Sequence, residues 1–431
     1  MFSTAKAIYH RNRYPVSLSL LALIVALSAI RIHGLAGSPS EVSREHWGLQ
    51  DFRDAIYFPC RSLAEGHNPY DAKDHMARYP VGQLFPLYSP LTLIIHQPLS
   101  WPSYPIARWL NFCVTILLVI VFAFACLRLV ETRPRGDQVI LLAALILFSR
   151  PGHMNLALGQ STLQVSMFCL LALYWSGNQT WRSGWMLALA TFKPTFGCLV
   201  FIQMLAAKKY RPALTGLLIG CVITLPLIGY ICVHAGGSGP FLEILQQNNQ
   251  LFDGYEGRDP ATSFTRLDTY FLICKWFGAK SSGMAELLVM LFLLGASSVV
   301  LYFSNRVFVT KRTKANDLAS QQLGLCLLLL TTTIAVYHHA YDWLLLVPAL
   351  TLLSMSQSIR DSLSKPWRHT IAILLAIPAI NFASTNTMKS HLDSSMLWPI
   401  ITSANAIALL LAWPILLAIQ IIRLRQPNHL A

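Results

Sequence analysis

Apolar runs alternate with short polar links along almost the whole chain, and two longer polar segments interrupt them. The runs at 16–30, 105–129, 139–148, 162–175, 214–233, 286–303, 323–336, 344–355, 371–383 and 398–422 predict about ten transmembrane helices, flanks included, because a span needs roughly 20 apolar residues. An eleventh run, WMLALATFKPTFGCLVFIQMLAAKKYR, carries Lys193 and Pro194 in its middle. Both its flanks are basic, so it predicts two half-helices that dip in and return as a re-entrant hairpin, with the break inside protein. The polar link SRPGHMNLALGQS joins 139–148 to 162–175 as a tight pair. The fold class is therefore all-α: a polytopic membrane protein forming a single membrane domain over 1–431.

Composition agrees with this pattern. Of 431 residues 54% are hydrophobic and only 12% charged, against about 25% charged in an ordinary soluble domain. A net charge of +14 would suggest nucleic acid in a soluble protein; here the placement of the charges explains it, and no nucleic-acid partner is expected. With both termini in the cytoplasm, Lys and Arg collect at the inner ends of the spans, beside only Glu131, Asp137, Asp317 and Asp361. The other carboxylates fall outside, as the positive-inside rule requires. The basic inner loop with Arg306, Lys311, Arg312 and Lys314 is part of that asymmetry. The nine cysteines stand singly and read as small packing residues, with no disulfide framework and no metal site.

Two long segments face outward, 37–90 and 234–282. The first holds Asp51, Asp54, Asp71 and Asp74 with Glu65 between them, in a chain that is otherwise mostly hydrocarbon. Carboxylates are costly to desolvate, so such a cluster predicts a polar chamber at the membrane face. The second, with FLEILQQNNQLFDGYEGRDPATSFTRLD, mixes aromatic, amide and charged residues as a sugar or headgroup surface does, though it also reads as a plain solvated loop. The same outer face collects His75, Arg78, Tyr79, Arg150, His153, Gln160, Arg266, Asp268, His338, His339 and Asp342. Bases and cations there suit group transfer on a lipid-linked substrate, a carboxylate acting as general base and His or Arg stabilising a phosphate leaving group. A lipid or solute transporter is the alternative; it would want charges near the midplane and internal repeats, and no repeat is visible.

Several residues have a structural reading beside the functional one. Lys193 meets a lipid phosphate or pairs near the helix break; His338 or His339 binds phosphate or relays a proton, with Asp342 to orient the ring. Gln160 is expected to cap the helix starting at Ser161, where Ser161 and Gln164 resemble a capping box, rather than to bind sugar. Asp71 reads as a turn or N-cap residue. Tyr57, Tyr70 and Tyr88 read as interfacial aromatics, with sugar stacking as the sharper option.

The run DFRDAIYFPCRSLAEGHNPYD resembles the first-loop motif of glycosyltransferase family 87, an Asp-aromatic pair, a Tyr, then a Gly and a Pro-Tyr. FPLYSPLTLIIHQPLSW is similar to that family's Tyr-x-Pro segment, NLALGQSTLQVSMFCLLALYW to its Gly-Gln segment, LALATFKPTFGCLVFIQMLAAKKYRPA to its Lys-Pro segment and YHHAYDWLLLVPAL to its late His and Tyr-Asp segment. The resemblance implies a GT-C-type membrane architecture in the bacterial inner membrane with a periplasmic active site. It implies an inverting, metal-independent and cofactor-free transfer of a hexose or pentose, mannose first, from a polyprenyl-phosphate-sugar donor to a lipid or glycan acceptor, in contact with membrane lipids. The family's base is an Asp of the first outer loop, which maps onto Asp51 by its Asp-Phe context, with Asp54 as the alternative. Tyr57, Arg78, Lys193, Arg266, His338, His339 and Asp342 are the expected substrate-binding residues.

Overall fold

A computed structural model of the chain describes residues 2–36, 48–85, 88–253, 258–308, 314–392 and 395–425. Parts of the two outer segments (37–47, 86–87 and 254–257) and Lys311 and Arg312 of the basic inner loop lie outside the described residues. The described residues are helical almost throughout; their only strand-like pairing is an isolated bridge between Arg266 and His339. Two compact units form, one from residues 1–164 and 227–248, the other from 165–226 and 249–431.

Among the described residues six helices are long and apolar enough to cross a membrane: Arg13–Gly34, Tyr104–Arg128, Tyr210–His234, Gly283–Ser304, Leu318–Ala335 and Leu397–Arg425. A seventh span arises if Gly136–Phe148 and Arg150–Leu158, bent by 74°, count as one. Thr162–Trp175, Pro194–Ala206 and Ala340–Met355 are apolar but shorter. The expected count of about ten spans is thus not reached, and the run 371–383, within Lys365–Ile380, is not among these helices; each of the shorter ones begins beside a polar residue, Gln160, Lys193 or His339. Interrupted helices are tolerated at membrane depth where the freed backbone is buried in protein or lines a cavity.

In the first unit the N-terminal helix packs on Gly136–Phe148, which also meets Tyr104–Arg128. Most of the stretch 149–161, expected as a polar link, is a helix, Arg150–Leu158. Its bend has a local cause. Pro151 has no N–H for the preceding helix, and Ser149 stands between the two helices with its Oγ accepting from Gly152 N at 3.1 Å and donating to Ile146 O at 2.6 Å. A Cβ on Gly152 would lie 1.9 Å from Ile146 O, so only glycine fits this corner. The polar residues that suggested a loop serve the corner and the faces behind it.

The carboxylate stretch folds as one helical run: an α-turn Gln50–Phe52, a π-helical segment Arg53–Tyr57 and an α-helix Phe58–Ala64. Such π-bulges are frequent at functional sites. Asp71 N-caps the next helix, Ala72–Arg78, accepting from Asp74 N at 3.1 Å as its position suggested. Under these helices Cys60, Tyr70, Phe85, Leu93, Ile231 and Phe241 form a buried cluster. The amphipathic helix Ser238–Asp253 joins it through Phe241, and Asn248 donates to Tyr70 O at 2.6 Å.

In the second unit Gly283–Phe308, Lys314–Ala335 and Leu397–Arg425 pack mutually. Trp413 Nε1 donates to both Ser297 Oγ and Thr331 Oγ1 at 3.1 Å, tying the three helices. Gln203 Nε2 donates to Thr332 Oγ1 at 2.8 Å, linking Pro194–Ala206 to the same bundle. Interhelical hydrogen bonds of this kind and close approach at small residues hold helices together where no hydrophobic force does. The second device is also present: a Cβ on Gly184 would meet Thr215 Cγ2 at 2.6 Å, so Thr180–Ala190 and Tyr210–His234 touch there backbone to side chain. None of the nine cysteines is in a disulfide.

Candidate active site

Asp51 is half-buried, and both its carboxylate oxygens are held by side-chain amides. Gln83 Nε2 donates to Oδ1 at 2.8 Å and Gln160 Nε2 to Oδ2 at 2.6 Å. The second contact depends on an unusual turn. Gly159 adopts the left-handed conformation (φ 70°) at the end of Arg150–Leu158, and its missing Cβ would lie 2.5 Å from Phe52 Cβ. Leu49 N donates to Ala157 O at 2.8 Å, with Leu49 itself at φ 58°, a conformation a leucine adopts only when its surroundings hold it there. The start of the Asp51 helix is thus docked on the Gly159 turn. The Gln160 side chain, expected at the helix cap, donates its amide N–H to Asp51. Gln164 turns its carbonyl to His96 Nε2 at 2.7 Å.

Asp54, three residues on, sits in a different environment. It is fully buried and paired with Arg53, Nε to Oδ1 at 2.6 Å and Nη2 to Oδ2 at 3.1 Å, and accepts from Gly82 N at 3.2 Å. Burial pushes its carboxyl up to about 6, against the pull of the Arg53 guanidinium. Gly82 and Gln83, adjacent in the chain, therefore hold the two carboxylates one each.

Other expected residues of this unit have structural partners. Tyr57 is buried and donates to Pro102 O at 2.9 Å, its ring within an aromatic group with Phe52, Phe58 and Tyr104. Tyr70 is buried and donates to Tyr88 O at 2.6 Å. Neither is the interfacial ring that composition suggested, because the tight fold of the loop closes over them. Arg78 is exposed and lies in an (i, i+4) pair with Asp74, Nε to both oxygens at 2.8 Å; such surface pairs contribute little.

The second unit gathers Lys193, Arg266, His338, His339 and Asp342. Lys193 ends the break between Thr180–Ala190 and Pro194–Ala206; its Nζ is buried, 3.6 Å from Asp342 Oδ1 and above the rings of Phe196 and Tyr341 at 5.7 and 5.5 Å. Asp342 Oδ2 accepts from the backbone N–H of His339 at 2.9 Å, capping the 3-10 turn Ala340–Leu346. The His339 ring is held by Thr265 Oγ1 at 2.8 Å and by the Tyr337 hydroxyl, and burial lowers its basicity to about 4. His338 Nδ1 lies 3.2 Å from Val336 O, its ring packs edge-on against Phe196, and its Nε2 is buried with no hydrogen-bond partner among the described residues. Burial lowers the basicity of this ring as well. Arg266 pairs bidentately with Asp268 at 2.8 Å for each bond and also reaches Arg258 O at 2.7 Å. Its fork is thus committed within the protein. Asp268 in turn caps Thr269–Phe277.

Sequence reasoning missed Gln83, Arg53, Thr265 and Tyr337. Gln83 lies in a loop with no local signal, and its partner is 32 residues away. Among the described residues no group of His, Cys, Asp and Glu is placed to hold a metal ion.

A chain with six apolar helices long enough to span among its described residues is a polytopic membrane protein. The model of glycosyltransferase family 87 matches residues 86–333, more than half the chain, and the protein belongs to that family. It is a membrane glycosyltransferase. The matched segment contains Gln160, Lys193 and Arg266; Asp51 and Asp54 precede it, and His338, His339 and Asp342 follow it. No curated protein and no solved structure matches the chain.

Proposed function

We infer that this glycosyltransferase moves a hexose or pentose, mannose first, from a polyprenyl phosphate to a lipid or glycan acceptor on the periplasmic face of a bacterial inner membrane, with both termini cytoplasmic and with inversion at the anomeric carbon. Asp51 is the general base. It takes the proton of the acceptor hydroxyl as that oxygen bonds to the anomeric carbon, while the bond from that carbon to the phosphate oxygen breaks and polyprenyl phosphate leaves. The observation that supports the choice of Asp51 is the contrast with Asp54: Asp51 is half-buried and accepts from the side-chain amides of Gln83 and Gln160, whereas Asp54 is fully buried against Arg53.

Within the second unit, Lys193 and His338 are the groups suited to an anionic ligand. Lys193 supplies a cation whose pairing with Asp342, at 3.6 Å, is longer than a tight charged hydrogen bond. His338 supplies a buried nitrogen with an open hydrogen-bonding position. Arg266 and His339 shape this region through their contacts with Asp268 and Thr265.

The test is transfer of radiolabelled sugar from short-chain polyprenyl phosphates, across a panel of sugars, by purified protein in detergent. Wild type consumes one donor and Asp51→Asn does not, with the fold intact by thermal melting. Equal transfer by Asp51→Asn would remove Asp51 as the base. No consumption of any donor by wild type, with a lipid or solute crossing the membrane in liposomes, would replace the transferase with a transporter.

A further inference from the structure

The Asp51 carboxylate is met by three separate chain segments: its own helix, the loop carrying Gly82 and Gln83, and the turn Gly159–Gln160. Each glutamine binds a different oxygen, at 2.8 and 2.6 Å. The alternative partner for a buried carboxylate is displayed three residues away, where Arg53 neutralises Asp54. An amide orients a carboxylate and stabilises its charge without itself supplying an opposite one. Around the second donor the structure is tightly constrained: Gly159 has no room for a side chain against Phe52, and Leu49 is held at positive φ by its docking on Ala157. A turn of such restricted geometry delivers one side chain, Gln160, to one oxygen.

We propose that Gln83 and Gln160 are positioning residues that clamp Asp51 from both sides, fixing the carboxylate in its ionised form and aiming it at the acceptor hydroxyl. The clamp rests on the reading of Asp51 as the base. Because Gly82 N also binds Asp54, the same short loop sets the orientation of both carboxylates.

The experiment is the pH–rate profile of sugar transfer for wild type, Gln83→Met and Gln160→Met, with thermal melting as the check on folding. Methionine keeps the length and removes the donor. Loss of a hydrogen bond to the charged form raises the carboxyl pKa, so the acid limb of the kcat profile moves to higher pH by about one unit in each variant, and KM for the donor changes little. Gln160→Glu, which sets a second carboxylate against Asp51, moves it further. A second readout needs no activity: carbodiimide labelling of Asp51, followed by mass spectrometry, requires the protonated acid and reports the same upward shift. Folded Met variants whose acid limb and labelling profile coincide with wild type would overturn the clamp even with Asp51→Asn inactive. An active Asp51→Asn would instead remove the reading on which the clamp rests. If Gln160→Met does not fold, Gln83→Met, altered in a loop, decides by the same two profiles.

Discussion

The two polar regions of this enzyme solve the same problem in opposite ways. Around Asp51 a carboxylate sits half-buried and is held by neutral amides. Around Lys193, charges of opposite sign are buried together and nearly every group has a protein partner: Lys193 with Asp342, Arg266 with Asp268, His339 with Thr265 and Tyr337. The first arrangement keeps a group reactive; the second keeps ions stable away from water until something displaces a partner. Asp54 with Arg53 is a small copy of the second arrangement placed beside the first. The lesson is that a carboxylate's partner, more than its burial, separates a candidate base from a structural ion.

The sharpest break of that comparison is between the two aspartates. Asp51→Asn keeps the shape and the capacity to accept one amide, so melting stays near wild type while transfer falls by about 10²–10⁴-fold, the usual contribution of a general base. Asp54→Asn leaves the Arg53 guanidinium buried without its counter-ion and destabilises by about 3–5 kcal/mol. Its activity loss follows the folded fraction and is recovered at lower temperature. Radiolabel transfer and melting measured side by side on both variants separate the cases; a stable but inactive Asp54→Asn would exchange the roles.

Next in size is the Lys193–Asp342 pair. Lys193→Met strands a buried carboxylate and destabilises by about 3–5 kcal/mol. The double variant Lys193→Met, Asp342→Asn regains most of that stability, because asparagine still accepts from His339 N and no lone charge remains. If Lys193 also binds the donor phosphate, the double variant stays inactive or shows a raised KM for the donor. A double variant that is both stable and fully active would reduce Lys193 to a packing ion.

Much of this was legible in the chain. Four aspartates in an apolar sequence marked the first region, and Lys193-Pro194 marked a helix break, because proline lacks the N–H that would continue the helix. Asp71 as an N-cap followed from its place after Pro69-Tyr70. The rest depended on tertiary contacts that no local pattern records. The hydrogen bond from Gln160 to Asp51 spans 109 residues, and a Gly-Gln pair before an apolar helix looks the same whether it caps that helix or reaches elsewhere. The 149–161 segment reads as a link by composition, yet its Gly and Ser make a corner between helices. Tyr57 and Tyr70 are amphipathic residues whose hydroxyls found backbone carbonyls inside, which composition does not distinguish from a place at the membrane surface. The count of spans differed for a related reason: runs of sufficient apolarity are cut by the polar residues that build the second region.

Gly159→Ala tests how rigidly the first region is built. The substitution places a methyl 2.5 Å from Phe52 Cβ in a conformation that alanine disfavours, and costs about 1–3 kcal/mol. Displacement of the Gln160 turn from Asp51 lowers kcat by about tenfold, with little change in KM, since a misplacement near 1 Å can cost up to about a hundredfold. Gly184→Ala, which also crowds a neighbour but in the second unit, is the matched control: it destabilises through Thr215 and leaves the kcat of the folded fraction unchanged. Equal loss of kcat in both would show that packing in general, and not the Asp51 clamp, limits turnover.

The smallest effect concerns His75, which lies in the first unit on the Ala72–Arg78 helix, with both ring nitrogens buried and no hydrogen-bond partner among the described residues. Burial lowers its basicity to about 4, although Asp74 pulls the other way. The unfolded chain binds a proton near pH 6.5, so the folded protein is favoured fully above that value and loses this contribution as pH falls from 6.5 towards 4. Asp54 has the opposite sign, since its folded carboxyl at about 6 lies above the unfolded value and favours folding as pH falls through that window. His75→Leu fills the same apolar site without a proton to gain. Its melting temperature should match wild type at pH 7.5 and exceed it at pH 5, while transfer at neutral pH stays unchanged, because the ring packs against Tyr79 and donates no hydrogen bond among the described residues. A parallel fall of wild type and His75→Leu between pH 7 and 5 would mean that the acid sensitivity of the protein comes from other buried histidines, with His153 of the first unit and His339 of the second, both lowered to about 4 by burial, the first to replace by Asn.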